Sequence, residues 1–255
     1  MTTDHSIQYE IPLNSMSRGL LRLERIFRES YLQLSLNTES SHFYVMKQIF
    51  VLINFFDRGD FKAELIKTLD YEINYFAKLK DNPAVDLSKL QTFIKQLSQL
   101  NSWAKSQKGK IGHQLLDVDF IAQSKNKLTQ EAARLSFDAP AVKCFLAMAP
   151  EQRQAHLLEW LKVFKGVQTS VEVILRLSRE TSVFQTAFAE DGYYEEEMAK
   201  DEYRFIAIRL PANLKLYPEV STGPSRFCIH FKQMNDELKS VSFDKWFDFS
   251  LAKYR

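Results

Sequence analysis

The chain has 255 residues, of which 45% are hydrophobic and 13% aromatic; that is ample for a packed core and excludes an intrinsically disordered chain. Twenty phenylalanines against seven glycines and seven prolines exclude low complexity and favour regular elements joined by short connections. A net charge of +2 over the whole chain marks neither a nucleic-acid binder nor a membrane-surface protein.

Ile7 to Ile11 alternates apolar and polar residues and reads as a short strand that Pro12 ends. Asn14 or Ser15 then caps a helix in which Met16, Leu20, Leu23 and Phe27 recur on one face. Arg18, Arg22 and Arg25 form a second stripe beside it, with only Glu24 and Glu29 nearby to neutralise it. The polar break from Asn37 to Ser41 precedes a second helix carrying Phe43, Met46, Phe50 and Ile53, which ends at Gly59. Asp60 caps a third, with Leu65, Leu69, Ile73 and Phe76, that stops at Asn82 and Pro83; Asp86 caps a fourth, with Leu90, Phe93 or Ile94, Leu97 and Leu100 inward. Four consecutive helices with short connections predict an antiparallel bundle. Their stripes are wider than one small bundle requires, which predicts a dimer made through the helical half.

The sequence KGKIG at 108–112 interrupts this pattern with two glycines, and Leu135 and Phe137 alternate once. Asp138-Ala139-Pro140 starts a further helix, Pro150 and Glu151 another through Leu157, Leu158, Leu161 and Phe164, and a last one covers Val167 to Ser178. From Phe184 the apolar period changes to two: Phe205 to Leu210, Phe227 to Phe231, Val241 with Phe243, and Phe247 to Leu251 read as strands, with Pro211, Pro218 and Pro224 in the connections. These strands need more partners than the C-terminal third supplies, and Ile7–Ile11 and Leu135–Phe137 are natural donors. The expected fold class is α+β, a mainly helical bundle domain plus an antiparallel β domain built from N-terminal, middle and C-terminal strands. The expected boundaries are interleaved: 14–108 with 139–183 helical, and 1–13 with 109–138 and 184–255 in the β domain.

The small net charge hides a polarity. Glu190 to Glu202 holds seven acidic residues against one lysine, a net of −6, which leaves +8 on the rest of the chain. Such a run is expected to be a solvated hairpin loop, with Glu195–Glu197 replaceable by a Gly-Ser link. Cys144 and Cys228 stand 84 residues apart in apolar surroundings and are expected to be small buried thiols in a reducing compartment. The N-terminus has neither the basic nor the apolar region of a secretory leader, and no apolar run reaches the roughly 18 residues of a membrane helix. A cytoplasmic protein without direct membrane insertion is expected.

His5, His42, His113, His156 and His230 are isolated, with no metal-ligand spacing, and no phosphate-binding glycine loop or nucleophile elbow occurs. No metal, cofactor or catalytic residue is therefore assigned, and a non-enzymatic role is expected. What recurs is basic residues at turns and element ends: Arg58 in FFDRGD, Lys108 and Lys110 around Gly109, Lys143 after Pro140, and Arg226, His230 and Lys232 in SRFCIHFK. On that last strand Arg226, Cys228 and His230 share one face while Phe227, Ile229 and Phe231 share the other.

Taken in order, IPLNSMSRGLLRLERIF, FFDRGDFKAELIKTLD, SFDAPAVKCFL and LYPEVSTGPSRFCIHF resemble the ZapD family, cytosolic partners of the bacterial division tubulin homologue FtsZ. The resemblance implies a helical domain plus a β domain, a homodimer, and binding of the C-terminal tail of FtsZ so as to cross-link protofilaments into bundles at the mid-cell Z-ring during septation. It carries the family's basic positions onto Arg18, Arg22, Arg58 and Arg226, together with Lys110, Lys143 and His230. Those last three depart from the family pattern: KIG stands in place of Arg-Ile-Gly, Lys143 in place of His, and His230 in place of Arg. Lysine lacks the bidentate fork of arginine, and histidine is mostly neutral near pH 7. The competing reading is a nucleic-acid-binding protein using the same basic surface; it lacks a recognised fold motif and a stacking platform.

Overall fold

The computed structural model describes residues 6–81, 86–128, 135, 137–199 and 203–254. The fold is α+β. Among the described residues eight α-helices, α1 (Ser15–Leu36), α2 (Glu39–Arg58), α3 (Phe61–Ala77), α4 (Leu87–Ser106), α5 (Asp119–Leu128), α6 (Pro140–Leu146), α7 (Pro150–Lys162) and α8 (Lys165–Glu180), separate a first strand, β1 (Ser6–Pro12), from seven later ones. These are β2 (Gln185–Ala189), β3 (Tyr193–Glu197), β4 (Phe205–Pro211), β5 (Leu216–Thr222), β6 (Arg226–Met234), β7 (Ser240–Ser242) and β8 (Phe247–Tyr254). The chain divides into two compact units, Arg22–Ile174 and Met1–Leu21 with Leu175–Arg255.

In the helical unit the starts follow the capping chemistry of the sequence. Asp86 accepts from the amides of Ser88 and Lys89 at 3.0 and 3.1 Å, fixing the start of α4. Thr38 and Ser41 close a reciprocal capping box on α2. Asp60 precedes α3 as expected but offers no side-chain cap; only its carbonyl is used, by the Glu64 amide. Asn82 and Pro83, expected to end α3, lie outside the described residues; α3 itself tightens into a 3₁₀ turn over Lys78–Asp81. Pro140 and Pro150 occupy the first turns of α6 and α7, where a missing N–H costs nothing.

Helix α2 carries a long buried face. Val45, Met46, Ile49, Phe50, Leu52, Ile53 and Phe56 are all buried, and the Phe56 ring stacks on Phe164 at 5.9 Å. The same Phe164 ring explains one glycine of KGKIG: Gly112 has φ +83°, and a Cβ there would sit 2.4 Å from Phe164 Cε1. On α1, Leu20, Leu23 and Phe27 are buried as the spacing requires, and Asn14 caps the helix through its Oδ1, 2.8 Å from the Ser17 amide.

The β unit is two antiparallel sheets. One has the order β1-β4-β8-β2; the other has β3-β6-β5, with β7 also paired to β6. Ile206, Ile208 and Leu210 of β4, Phe249 and Leu251 of β8, and Phe227, Ile229 and Phe231 of β6 meet in one buried core, a two-layer sandwich built on period-two alternation. Pro218, expected in a connection, lies within β5 opposite Phe231. β5 ends its sheet, so the absent N–H leaves no ladder bond unmade.

Three further expectations are corrected. The acidic run is not a solvated loop: Tyr193–Glu197 is strand β3, paired residue for residue with β6 from Tyr193↔His230 to Glu197↔Arg226, while Lys200 to Glu202 lie outside the described residues. Asp191 and Gly192, at φ +48° and +69°, make the tight turn that delivers it, because a two-residue turn with both φ positive matches strand twist. Leu135 and Phe137 lie in turns, with Ser136 outside the described residues, so this alternation supplies no described strand. The cysteines are not buried thiols: Cys144 is exposed on α6, whose buried positions are Val142, Phe145 and Leu146, and Cys228 is half-buried on the outer face of β6.

Candidate anion-binding surfaces

The helical unit brings together two of the expected cations that are 52 positions apart. Arg58, in the last turn of α2, and Lys110, in the loop after α4, line one cleft of about 250 Å³ with Phe56, Asp57, Gly59, Asp60, Lys62, Gly109 and Ile111. The cleft forms where α2 ends and its last carbonyls need donors. Lys110 supplies one: its ammonium donates to the Asp57 carbonyl and lies 3.8 Å from Asp57 Oδ1, with His113 Nδ1 4.0 Å from the same oxygen. A cation at a helix C-terminus is also favoured by the peptide dipoles. Lys110 therefore has a structural partner, and Arg58, exposed and without an ion-pair partner among the described residues, is the open guanidinium of the cleft.

Lys62 was not singled out by sequence reasoning, because its partners are backbone atoms. Its ammonium donates to the Gln107 carbonyl and lies 3.5 Å from the Gly109 carbonyl, which pins the loop that carries Lys110. Gly109 takes φ +67°, a left-handed turn that a side chain would strain. The two aspartates flanking Arg58-Gly59 were legible in FFDRGD; they leave the cleft with three cations against two carboxylates.

The other expected cations lie elsewhere. Arg22 and Lys143 do not line this cleft; Arg22 is exposed on α1 and Lys143 exposed in the last turn of α6. Arg18 is exposed one helical turn before Arg22. Among the described residues Arg18, Arg22 and Lys143 have no ion-pair partner, whereas Arg25 is committed: its Nε donates to Glu29 Oε1 at 2.7 Å, and Glu29 Oε2 takes the Tyr44 hydroxyl at 2.6 Å. The Tyr44 hydroxyl first, then Arg25, hold the Glu29 carboxyl below its ordinary range.

In the β unit Arg226, Cys228 and His230 share the outer face of β6, as the alternation requires, with Phe227, Ile229 and Phe231 buried behind them. His230 packs against the Tyr193 ring at 4.9 Å. Arg226 is not free: its Nη1 lies 3.1 Å from Glu195 Oε1. Glu195 Oε2 accepts from the Tyr193 hydroxyl at 2.5 Å and from Cys228 Sγ at 3.4 Å. These donors, Tyr193 foremost, then Cys228 and Arg226, hold the Glu195 carboxyl below its ordinary range. Tyr193 and Glu195 were missed as members of this surface because β3 reads in sequence as a charge run. Among the described residues no cluster of metal-ligating side chains occurs, and no helix is long and apolar enough to cross a membrane.

Known proteins place this chain. The model of the ZapD family, described as a cell division protein, matches residues 21–230. The cell division protein ZapD of Coxiella burnetii, from strain RSA 331 and from strain RSA 493, is 30% identical over 242 residues, covering 93% of this chain and 94% of the relative in both cases. The matched span takes in α2 through β5 and includes Arg22, Arg58, Lys110, Lys143, Arg226 and His230; Arg18 lies before it. The chain belongs to the ZapD family of cell division proteins.

Proposed function

We propose that this cell division protein is a non-enzymatic, cytoplasmic adaptor that binds the C-terminal tail of FtsZ and, as a homodimer, cross-links FtsZ protofilaments into bundles at the mid-cell ring. The observation that carries the reading is the set of arginines left open: Arg18, Arg22 and Arg58 are exposed and, among the described residues, without ion-pair partners. A guanidinium presents a planar fork of donors that fits a carboxylate, and such charge-assisted bonds are stronger than neutral ones. Lys110 and Lys143 add charge without the fork, and Arg226 adds one that is already shared.

A flexible tail that orders on binding gives modest affinity per site. Two sites on a two-fold dimer turn that into strong attachment, because a filament presents neighbouring tails at high effective concentration. Co-sedimentation with full-length and tail-deleted FtsZ tests the reading: bundles should pellet with the first and not the second, and pelleting should weaken as salt rises. Equal bundling of the tail-deleted protein would overturn it. Retention of duplex or single-stranded DNA at physiological salt, with no tail dependence, would favour the nucleic-acid alternative.

A further inference from the structure

The geometry points to Glu195 as a built-in competitor for Arg226: a carboxylate of the protein's own β3 strand occupies the guanidinium that an external carboxylate would take, and so sets how tightly this face holds a partner. The inference rests on the reading of Arg226 as a tail-binding residue.

The competitor is held in place. Its two oxygens are divided, Oε2 between the Tyr193 hydroxyl and Cys228 Sγ, and Oε1 to Arg226 Nη1. Tyr193 and Glu195 stand two residues apart on β3, and Glu195 is paired in register with Cys228 on β6, so strand pairing itself brings the carboxylate to this thiol and beside Arg226. Exposed ion pairs gain little partly because both long side chains must be ordered. Here Tyr193 and β-pairing have ordered Glu195 in advance.

Competition is partial for a geometric reason. The contact uses one nitrogen, Nη1, while a guanidinium carries five N–H donors, and the Arg226 side chain remains 58% exposed. An incoming carboxylate has to displace Glu195 or share the fork with it. Tyr193 is then a positioning residue, acting on binding only through Glu195.

The neighbouring Glu197 separates contact from mere charge. It lies opposite Arg226 in the β3–β6 register and is exposed, yet among the described residues it makes no ion pair. Glu195→Gln and Glu197→Gln remove the same charge from the same strand, but only the first removes the competitor.

The experiment measures binding of a synthetic FtsZ C-terminal tail peptide by fluorescence anisotropy to the full chain and to Glu195→Gln, Glu197→Gln, Arg226→Gln and Glu195→Gln/Arg226→Gln, each checked by circular dichroism. Glu195→Gln should tighten binding about two- to five-fold, the scale of an exposed pair. Glu197→Gln should change it by less, and the gain should vanish in the Arg226→Gln background. Tyr193→Phe should give part of the gain. If Glu195→Gln leaves affinity unchanged or weakens it while Arg226→Gln still weakens it, the competitor is overturned and the tail-binding reading stands. An equal gain from Glu197→Gln, or a gain that persists without Arg226, overturns it in favour of net charge. If Arg226→Gln has no effect in any background, the assignment of Arg226 fails and the inference with it.

Discussion

Glu196 and Lys253 join the two β-sheets through one ion pair: the Lys253 ammonium on β8 donates to Glu196 Oε1 on β3, whose other oxygen takes the Tyr194 hydroxyl at 2.6 Å. The Lys253 and Glu196 side chains are only 27% and 23% exposed, and the Tyr194 ring meets Phe249 edge-on at 5.3 Å. Removing Glu196 leaves a half-desolvated ammonium and hydroxyl, so Glu196→Ala should cost about 1–3 kcal/mol, while Glu197→Ala on the exposed face should stay within about 0.5 kcal/mol. Thermal denaturation of the two variants checks this; equal melting temperatures would remove the role given to Glu196. A Gly-Ser link replacing Glu195–Glu197 should lower the melting temperature clearly, the reverse of what a solvated loop would do.

A second dependence runs through a buried cation. Arg153 Nε donates to His42 Nδ1 at 3.0 Å and its Nη1 donates to the carbonyls of Leu146, at 2.7 Å, and Met148, closing the end of α6 over α2. Burial first, and the Arg153 charge second, push the His42 pKa below its ordinary value. The unfolded chain therefore takes up a proton near pH 6.5 that the native protein does not, so stability should fall as pH drops from about 6.5 towards 5. Denaturant midpoints across that range should fall less in His42→Asn than in the wild type; identical pH profiles would show that His42 does not titrate on unfolding.

Lys62 is expected to act on binding through the loop it pins. Lys62→Met keeps the aliphatic stem but removes the bonds to the Gln107 and Gly109 carbonyls, so the 107–110 loop should gain hydrogen-exchange rate and tail affinity should drop a few-fold, with little change in the midpoint of global unfolding. Unchanged exchange in that loop would refute the positioning role.

How much of this was legible depended on whether side chains or backbone carried the signal. Asn14 and Asp86 announced their helices because capping is a local contest between one side chain and nearby amides. The buried stripe Leu20, Leu23, Phe27 followed from helical period alone. Strand β3 did not show itself, because its single inward pair, Tyr194 and Glu196, looks polar in sequence until Lys253 is brought to it from 57 residues away. Pro218 hid β5 for a similar reason, since only the sheet order reveals that the strand is an edge. The cleft was half legible: Arg58 and Lys110 stood out as basic residues at element ends and again through the family resemblance, whereas Lys62 binds carbonyls and leaves no pattern among residue types.

The proposed homodimer has a candidate patch on the helical unit. Tyr71 and Tyr75, one turn apart on α3, are about half exposed and stack at 6.5 Å, and Leu87 at the start of α4 is 50% exposed. Clustered exposed aromatics are unusual on a monomer and common at interfaces. Light scattering should give a dimer at micromolar concentration, and Tyr71→Glu with Tyr75→Glu should shift it to monomer without loss of helicity. A variant that stays dimeric would place the contact elsewhere.

The sharpest test concerns the open arginines against the committed one. Arg22 and Arg25 lie on the same helix, but Arg25 is held by Glu29 at 2.7 Å and Arg22 has no ion-pair partner among the described residues. If Arg22 and Arg58 take tail carboxylates where solvent is partly excluded, each should contribute about 1–3 kcal/mol to binding. Arg22→Glu or Arg58→Glu should then abolish bundling, because each dimer carries the lesion at both of its sites and avidity multiplies it. Arg25→Glu makes the same charge change one turn away and should cost far less, since an exposed pair is worth at most about 1 kcal/mol. Sedimentation of FtsZ bundles, with dimerisation and circular dichroism measured on the same samples, decides the matter. Equal losses from all three reversals would mean that only net charge counts, and intact tail binding in both Arg22→Glu and Arg58→Glu at physiological salt would mean that these guanidiniums are simply solvated.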